Sequence, residues 1–351
     1  MNIADKSNRK VIAKHLGNNY QIFGTRHYHL TDGASNGCRC IDVRTGSGFE
    51  YTVVPDRGLD ISLASYKGTN LTYLTENMEA HPAFYDSRDT EWLRTFSAGL
   101  LTTCGPTNVG PPCEDGGEKL GQHGRWTGYS AKQVQDRSDF ENGKIEIEGT
   151  MYESYTFGPK LKITRKITSN IGESWVTVED CIENEGGSPV PLNLLYHVNF
   201  GYPFLNEKTK IFVSSNNCDG YDDYSKEHID EWKTFRSPAA ENVEKNYLHT
   251  FGSNGEQLAV AYNGDVDQGL AVYIKFNSEQ LPYLTQWKLE TFKDYVLALE
   301  PANVPCDSRD VLRENGILPC LGSGERINFK VEIGVISGNE NINKFLGKKQ
   351  D

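Results

Sequence analysis

Three short segments each present an ionisable side chain beside an apolar run or between glycines. They are GQHGR (121–125), LLYHVNF (194–200) and LALEP (297–301), and they supply His123, His197 and Glu300. Two imidazoles and a carboxylate are sufficient for proton transfer to and from a small polar substrate near neutral pH, because one group donates while another accepts. The sequence therefore predicts an acid–base site, provided that a large fold brings the three residues together.

The elements that must position these residues read as strands. Apolar and polar residues alternate with a period of two through 144–148, 161–167 and 329–335, which is typical of half-buried antiparallel strands. The chain also has 34 glycines and 14 prolines, many of them at turns. This pattern predicts an all-β fold, a large antiparallel β-sandwich with few short helices.

Helical signals are confined to two places. Residues 89–100 begin with acidic residues and set Trp92 and Phe96 four apart, and residues 225–235 form a second candidate. Between them, 102–125 is rich in glycine and proline and almost free of apolar periodicity. We interpret it as a long functional loop that ends at His123.

Composition narrows the possible partners and location. The 351 residues show no linker, so we expect a single domain over 1–351, and the net charge of −12 without a basic run disfavours a nucleic acid or an anionic membrane. We see no signal peptide and no stretch long enough to span a bilayer. The eight cysteines are scattered, as expected of reduced thiols in a cytoplasmic protein. The oligomeric state is left open.

The order of these motifs resembles that of the aldose 1-epimerase (galactose mutarotase) superfamily, as a divergent branch. A His-Gly segment comes first, a Tyr-His-x-Asn-Phe segment follows, and a Leu-Glu pair precedes the closing strand. The segments IENEGGSPVPL (182–192) and GILPCLGSGE (316–325) add to the likeness, which extends from about residue 35 onward. The resemblance implies the galactose mutarotase-type sandwich, with its site on the concave face.

The resemblance also implies a role for each ionisable residue. Glu300 would be the general base toward the anomeric hydroxyl, His197 the general acid toward the ring oxygen, and His123 a ligand near that oxygen. The alternatives are a hydrogen-bonded core histidine for His197, a solvated strand-end carboxylate for Glu300 and an exposed loop histidine for His123. Burial alone lowers the pKa of a histidine, so a carboxylate near His197 must oppose it.

Two arginines are candidate substrate contacts. Arg125 stands where the family more often has a second glycine, and it could bind a carboxylate or phosphate on an anionic sugar. Arg57, in the turn PDRGLD (55–60), is the nearest candidate for the family's upstream arginine. The alternatives are that Arg125 pairs with an acidic residue on the surface and that Arg57 belongs to an ordinary charged turn.

The remaining candidates would contact the faces and hydroxyls of a sugar. Sugar C–H faces stack on aromatic rings, and carboxylates or amides hold hydroxyls. Candidate platforms are Trp126, Trp287 and Phe204, and candidate hydroxyl ligands are Asp222, Asp223 and Gln286.

The sequence leads to one function and several alternatives. We expect interconversion of the α and β anomers of an aldose or aldose derivative, with no metal and no cofactor, since no ligand spacing or nucleotide loop is present. A thiol nucleophile at Cys104 or Cys113 lacks an activating signature. A carbohydrate-binding protein without turnover, and a lyase or isomerase of an acidic sugar, are the alternatives.

Overall fold

Strands dominate the computed structural model, which describes residues 2–240 and 243–347. The strands are β1 (Gly24–His29), β2 (Arg39–Arg44), β3 (Phe49–Val54), β4 (Asp60–Tyr66), β5 (Thr69–Asn70), β6 (Thr102–Cys104), β7 (Cys113–Asp115), β8 (Glu118–Leu120), β9 (Lys132–Asp136), β10 (Lys144–Ser154), β11 (Lys160–Asn170), β12 (Trp175–Asn184), β13 (Val190–Pro191), β14 (Leu195–Phe200), β15 (Lys210–Val213), β16 (Asn217–Gly220), β17 (Lys245–Thr250), β18 (Glu256–Asn263), β19 (Leu270–Asn277), β20 (Tyr283–Glu290), β21 (Tyr295–Ala302), β22 (Cys320–Leu321) and β23 (Arg326–Ser337).

Helices are short and lie between the strands. The α-helices are α1 (Lys6–Ile12), α2 (Asp223–Glu227), α3 (Arg309–Glu314) and α4 (Asn339–Gly347). Single 3₁₀ turns occur at Ala13–His15, Asn19–Gln21, Gly33–Ser35, Pro82–Phe84, Glu91–Thr95, Trp126–Gly128 and Ile229–Glu231. Within the described ranges, no helix has the length and apolar character needed to cross a membrane.

Three large sheets and two two-stranded sheets, β7-β8 and β13-β22, make up the described part of the chain. An eight-stranded sheet has the order β15-β18-β19-β23-β12-β11-β10-β9, a six-stranded sheet the order β16-β17-β20-β21-β14-β6, and a five-stranded sheet runs from β1 to β5. The pairings between neighbouring strands are antiparallel, which confirms the predicted all-β sandwich with few short helices. The alternating stretches that predicted strands lie in β10, β11 and β23.

The local predictions between β5 and β17 were only partly right. Within residues 89–100 only Glu91–Thr95 form a 3₁₀ turn rather than an α-helix, because Asp89 is left-handed before the turn and Phe96 is extended after it. The second helical signal gives α2, which starts two residues earlier than 225 and stops at His228. Residues 102–125 carry three short strands, β6 to β8, so they are not one uninterrupted loop.

The six-stranded sheet has two different faces. Along β14, Tyr196, Val198 and Phe200 point into the main apolar core shared with the eight-stranded and five-stranded sheets. Leu195 points the other way, into a smaller apolar cluster that includes Trp92. Because successive side chains of a strand alternate between faces, His197 belongs to this second face. The alternation therefore keeps the main core apolar and directs polar residues outward.

One charged residue is buried where the three sheets meet. The guanidinium of Arg165, on β11, is fully buried and pairs with Asp60 of β4 at 2.6 Å and with Asp180 of β12 at 2.7 Å. It also donates to the hydroxyl of Thr103 in β6, and Tyr196 of β14 donates to Asp180. This network joins five strands of three sheets beneath the second face.

Removing the central cation should destabilise the fold strongly. Arg165→Leu leaves two buried carboxylates without their partner, which should lower the free energy of unfolding by about 3–5 kcal/mol. The matched control is Lys166→Leu, because Lys166 is the next residue on β11 and pairs with Glu179 on the solvent side. That change should cost no more than about 1 kcal/mol. Chemical denaturation measures both, and equal losses would contradict this role for Arg165.

Candidate active site

Three polar side chains form a row across the second face of the six-stranded sheet. The pairs Leu195–Ala302 and Val198–Leu299 between β14 and β21 bring His197 beside Glu300. Glu300 lies opposite Thr285 of β20. The His197 Nε2 and Glu300 Oε1 atoms are 3.3 Å apart. Glu300 was expected at a strand end, but β21 continues through Pro301 to Ala302. The carboxyl group is therefore held by a strand on each side.

The row lines a cavity of about 720 Å³. Its walls include the rings of Trp92, Phe96, Tyr221 and Trp287, and the His197 ring makes edge-on contacts with Phe96 and Trp287 at centroid distances of 5.5 and 5.6 Å. A volume of this size is typical of small-molecule sites, as are apolar walls around a few polar groups. The cavity has the room and the aromatic surface to hold a sugar.

Three buried polar atoms in the row have no hydrogen-bond partner among the residues that the structure describes. They are Nδ1 of His197, Oε1 of Glu300 and Oγ1 of Thr285. His197 is 5% exposed and Glu300 only 2%. Buried polar atoms are nearly always hydrogen-bonded, because leaving one unpaired costs on the order of 1–3 kcal/mol. Three such atoms in one row, beside a cavity, are available to form hydrogen bonds with a ligand.

Burial pushes both members of the His197–Glu300 pair toward their uncharged forms. It lowers the pKa of His197 to about 3, with a further decrease from the neighbouring His123. It raises the pKa of Glu300 well above its usual range, and the negative charge of Glu244 adds to this rise. In the unliganded chain the pair therefore holds one proton near neutral pH. The carboxyl does not oppose the effect of burial on His197 in the way that the sequence interpretation required.

His123 enters the same cavity from the segment before Trp126. Its ring contacts Trp92 at 4.5 Å and His197 at 6.1 Å between centroids. Its Nδ1 lies 2.6 Å from the carbonyl oxygen of Val109, so Nδ1 carries the proton and Nε2 has the free lone pair. Burial lowers the pKa of His123 to about 4. A neutral His123 thus presents an acceptor to a ligand hydroxyl, rather than the donor that a developing negative charge needs.

The flanking glycines allow this segment to pack tightly. Gly124 has a φ of +70°, and a Cβ atom there would lie 2.5 Å from the carbonyl oxygen of Asn108. A Cβ atom on Gly121 would lie 2.1 Å from the carbonyl oxygen of Ser87. His123 itself has a φ of +57°, a left-handed conformation that is uncommon for a residue other than glycine. The backbone around His123 is therefore fixed by close contacts.

The charged residues around the cavity are all acidic among the lining residues that the structure describes. Asp222, Glu244, Glu300 and Asp307 contribute carboxyl groups, whereas no lysine or arginine of the described ranges lines the cavity. Trp287 donates its ring N–H to Glu244 at 2.9 Å, and Tyr221 donates to Asp307 at 3.1 Å. Carboxylates accept hydrogen bonds from hydroxyl groups and repel anions.

The structure brings some of the predicted binding residues to the cavity and not others. Trp287 and Asp222 line it. Arg57 is buried elsewhere and donates to the backbone carbonyls of Ala80 and Thr95. Arg125 is exposed in a different cleft and donates to Ser87 at 2.9 Å. Neither arginine lies where it would touch a ligand of this cavity.

The remaining sequence candidates also lie outside the cavity. Trp126 and Phe204 are fully buried in the main core, and Asp223 is exposed on α2. Gln286 points to the opposite face of β20, where it donates to the carbonyl of Trp232. The period of two along β20 would have indicated this, because residues 285 and 287 share one face and 286 takes the other. The same rule would have found Thr285.

The cysteine and metal alternatives gain no support from the geometry. Burial raises the pKa values of Cys104 and Cys113, which disfavours a reactive thiolate. Among the described residues, no group of three or more His, Cys, Asp or Glu side chains is placed to hold a metal ion. All eight cysteines are free.

Comparison with known proteins assigns the chain to a family. The profile of a family described as a domain of unknown function, DUF4432, matches residues 35–335. The chain belongs to the DUF4432 family. No match was found among curated proteins.

Solved structures show that this member of the DUF4432 family has the fold of galactose mutarotase-like proteins, as predicted. A proposed aldose 1-epimerase from Klebsiella pneumoniae is 22% identical, with a TM-score of 0.87 over 93% of this chain and 87% of that one. A galactose mutarotase-like protein from Clostridium acetobutylicum is 13% identical (TM-score 0.61, 90% and 99% covered), and a galactose 1-epimerase from Lactobacillus acidophilus is 12% identical (TM-score 0.59, 90% and 100%). At these identities the likeness shows the fold.

The two histidines of the cavity should resist protonation. With pKa values of about 3 for His197 and about 4 for His123, both imidazoles should stay uncharged between about pH 5 and pH 8. Titration of the ring nitrogens by ¹⁵N NMR measures this directly, and an unfolded sample provides the reference. A midpoint near the ordinary histidine value of ~6.5 for His197 in the folded chain would contradict the effect of burial.

Proposed function

We infer that this chain interconverts the α and β anomers of a monosaccharide or sugar derivative, as an aldose 1-epimerase-like isomerase. The observation that carries the proposal is the buried row of His197, Glu300 and Thr285 with its unpartnered polar atoms. The row combines a base, an acid and a hydrogen-bonding hydroxyl at the wall of a cavity of sugar size. The likeness of the fold to aldose 1-epimerases supports the same reaction class.

Anomer exchange requires that one proton leaves the sugar while another arrives. The carboxylate of Glu300 takes the proton of the O1 hydroxyl as His197 protonates the ring oxygen, so that the C1–O5 bond breaks and an aldehyde forms. Rotation about the C1–C2 bond turns the other face of the carbonyl toward O5. When the ring closes, Glu300 returns a proton to O1 and His197 takes back the proton from O5, so no net proton is gained or lost.

The resting state of the pair differs from the state that starts this cycle. In the unliganded chain burial favours an uncharged Glu300 and an uncharged His197. Sugar hydroxyls that donate to the carboxyl oxygens stabilise its charged form, because hydrogen bonds to a carboxylate lower its pKa. In the proposal, binding thus moves the single proton to Nε2 of His197, 3.3 Å away. The pair is then poised for ring opening.

The charges of the cavity favour an uncharged sugar. Four carboxyl groups line it, and the described lining residues include no cation that could neutralise a phosphate or carboxylate. This argues against the alternative of a lyase or isomerase of an acidic sugar, which rested on Arg125. Carbohydrate binding without turnover is the other alternative, and it would leave the buried His197–Glu300 pair without a chemical task. We retain a cytoplasmic location as part of the proposal.

Substitution of the pair should remove turnover and spare binding. Glu300→Gln keeps the shape and hydrogen bonding of the side chain but cannot accept a proton, so the rate of anomer exchange should fall by roughly 10²–10⁴-fold. His197→Ala should lower the rate by a comparable factor. His123→Ala should weaken sugar binding as well as rate. Asp223→Asn, a change to an exposed carboxylate outside the cavity, is the control.

The assay is NMR exchange or polarimetry on neutral, phosphorylated and acidic aldoses. Neutral sugars should exchange fastest. If all of them bind but exchange only at the buffer rate, the chain is a binding protein. If Glu300→Gln turns over normally while folded, Glu300 is not the base.

A further inference from the structure

The segment that carries His123 separates two cavities. Gln122 and His123 line the active-site cavity. Gly121, Gly124 and Arg125 line a cleft of about 390 Å³ on the other side. The proposed turnover uses only the first cavity, so the cleft has no assigned task. It is also where the structure places Arg125.

A largely buried carboxyl group lines this cleft. It belongs to Glu153, at the end of β10, which is 5% exposed. Burial raises the pKa of Glu153 to about 7, although Arg125 opposes the rise. The hydroxyl of Tyr129, in the same lining, is also buried and unpartnered. A buried hydroxyl without a protein partner, next to a largely buried carboxyl group, can bind a ligand that enters the cleft.

The chemistry of the lining indicates the class of ligand. The lining carries both basic and acidic side chains: Lys119 and Arg125 are basic, Glu153 is acidic, and Glu118 is ion-paired with Arg309 at 2.6 Å. Two tyrosine rings are partly open to solvent at its rim, Tyr152 at 38% and Tyr155 at 53% exposure. Mixed donors and acceptors beside exposed rings match a neutral ligand with many hydroxyls and apolar C–H faces.

We propose that the cleft formed by Arg125, Tyr129, Tyr152 and Glu153 is a second carbohydrate-binding site that takes an uncharged saccharide unit. The Glu153 carboxyl and the Tyr129 hydroxyl hold sugar hydroxyls, Arg125 donates to sugar oxygens, and a tyrosine ring at the rim stacks on the sugar face. The site does not depend on anomer exchange, since it contains none of the residues proposed for that reaction.

Methyl glycosides of glucose and galactose are suitable probes, because a blocked anomeric oxygen prevents turnover. Amide and indole NMR shifts are followed during titration of the full chain. The backbone signals of Tyr152, Ser154 and Tyr155 report on the cleft, and the indole of Trp287 reports on the active-site cavity. For at least one glycoside, the shifts of the cleft signals should saturate as its concentration rises, with a dissociation constant different from that of the Trp287 signal.

Variants assign the effect to the cleft. Tyr152→Ala and Glu153→Gln should each raise the dissociation constant obtained from the cleft signals by about tenfold, which corresponds to the loss of one good contact. The dissociation constant obtained from the Trp287 signal should not change. Tyr202→Ala is the matched control, because Tyr202 is 74% exposed and lies outside both linings. Tyr152 is exposed, so its variant should fold even if Glu153→Gln does not.

The outcomes separate this site from the proposed function. Cleft shifts without Trp287 shifts would support the second site and weaken the enzyme proposal. Shifts at Trp287 alone for every glycoside, or a Tyr152→Ala curve equal to that of Tyr202→Ala, would overturn the second site and leave the enzyme proposal untouched.

Discussion

The buried guanidinium of Arg165 is the interaction on which the arrangement of the sheets depends. Its two carboxylate partners come from different sheets, and each charge is compensated only if all three strands keep their register. The ring of Trp126 covers the guanidinium at 4.7 Å, and the indole N–H is satisfied by the carbonyl of Gly58. A shift of one residue in any of these strands would bury an unpaired charge.

This network reaches the active site through a single strand. Tyr196 donates to Asp180 on the core side, and its neighbour His197 must then face the cavity, because side chains alternate along β14. Because β14 pairs with β21, the register between these strands also fixes the position of Glu300. His197 and Glu300 therefore lie on paired strands rather than on loops, whereas His123 comes from an irregular segment. Strand-mounted groups keep their relative geometry better when a substrate enters.

Burial also sets the electrostatics of the pair. Two ionisable groups in an apolar wall cannot both carry charge cheaply, so they share one proton. In the proposal, anomer exchange needs this proton on His197 and a charged Glu300, so substrate binding must move the shared proton from the carboxyl to the imidazole before the ring opens. A solvated histidine and glutamate would instead titrate separately. The lack of cations among the described lining residues keeps the carboxyl from being held permanently as a charged partner of lysine or arginine.

Much of this arrangement could be predicted from the sequence. Strand alternation, a local signal, predicts the sandwich and the strands over β10, β11 and β23, and the family resemblance predicts that His123, His197 and Glu300 converge on one cavity. The predictions of individual substrate-binding residues were wrong where the position of a side chain depends on packing between distant segments. Arg57 and Arg125 stand in plausible turns, yet only the fold decides which cavity a turn faces.

The central claim is that His197 and Glu300 act as one unit that carries a single proton, and a double-mutant cycle on anomer exchange tests it most directly. Exchange rates are measured for His197→Ala, for Glu300→Gln and for the two combined, with folding checked by circular dichroism. If the pair is a unit, the combined variant should lose about as much rate as the worse single variant, because the first substitution already removes the relay. Losses that multiply would show that the two residues act independently, and would contradict the account.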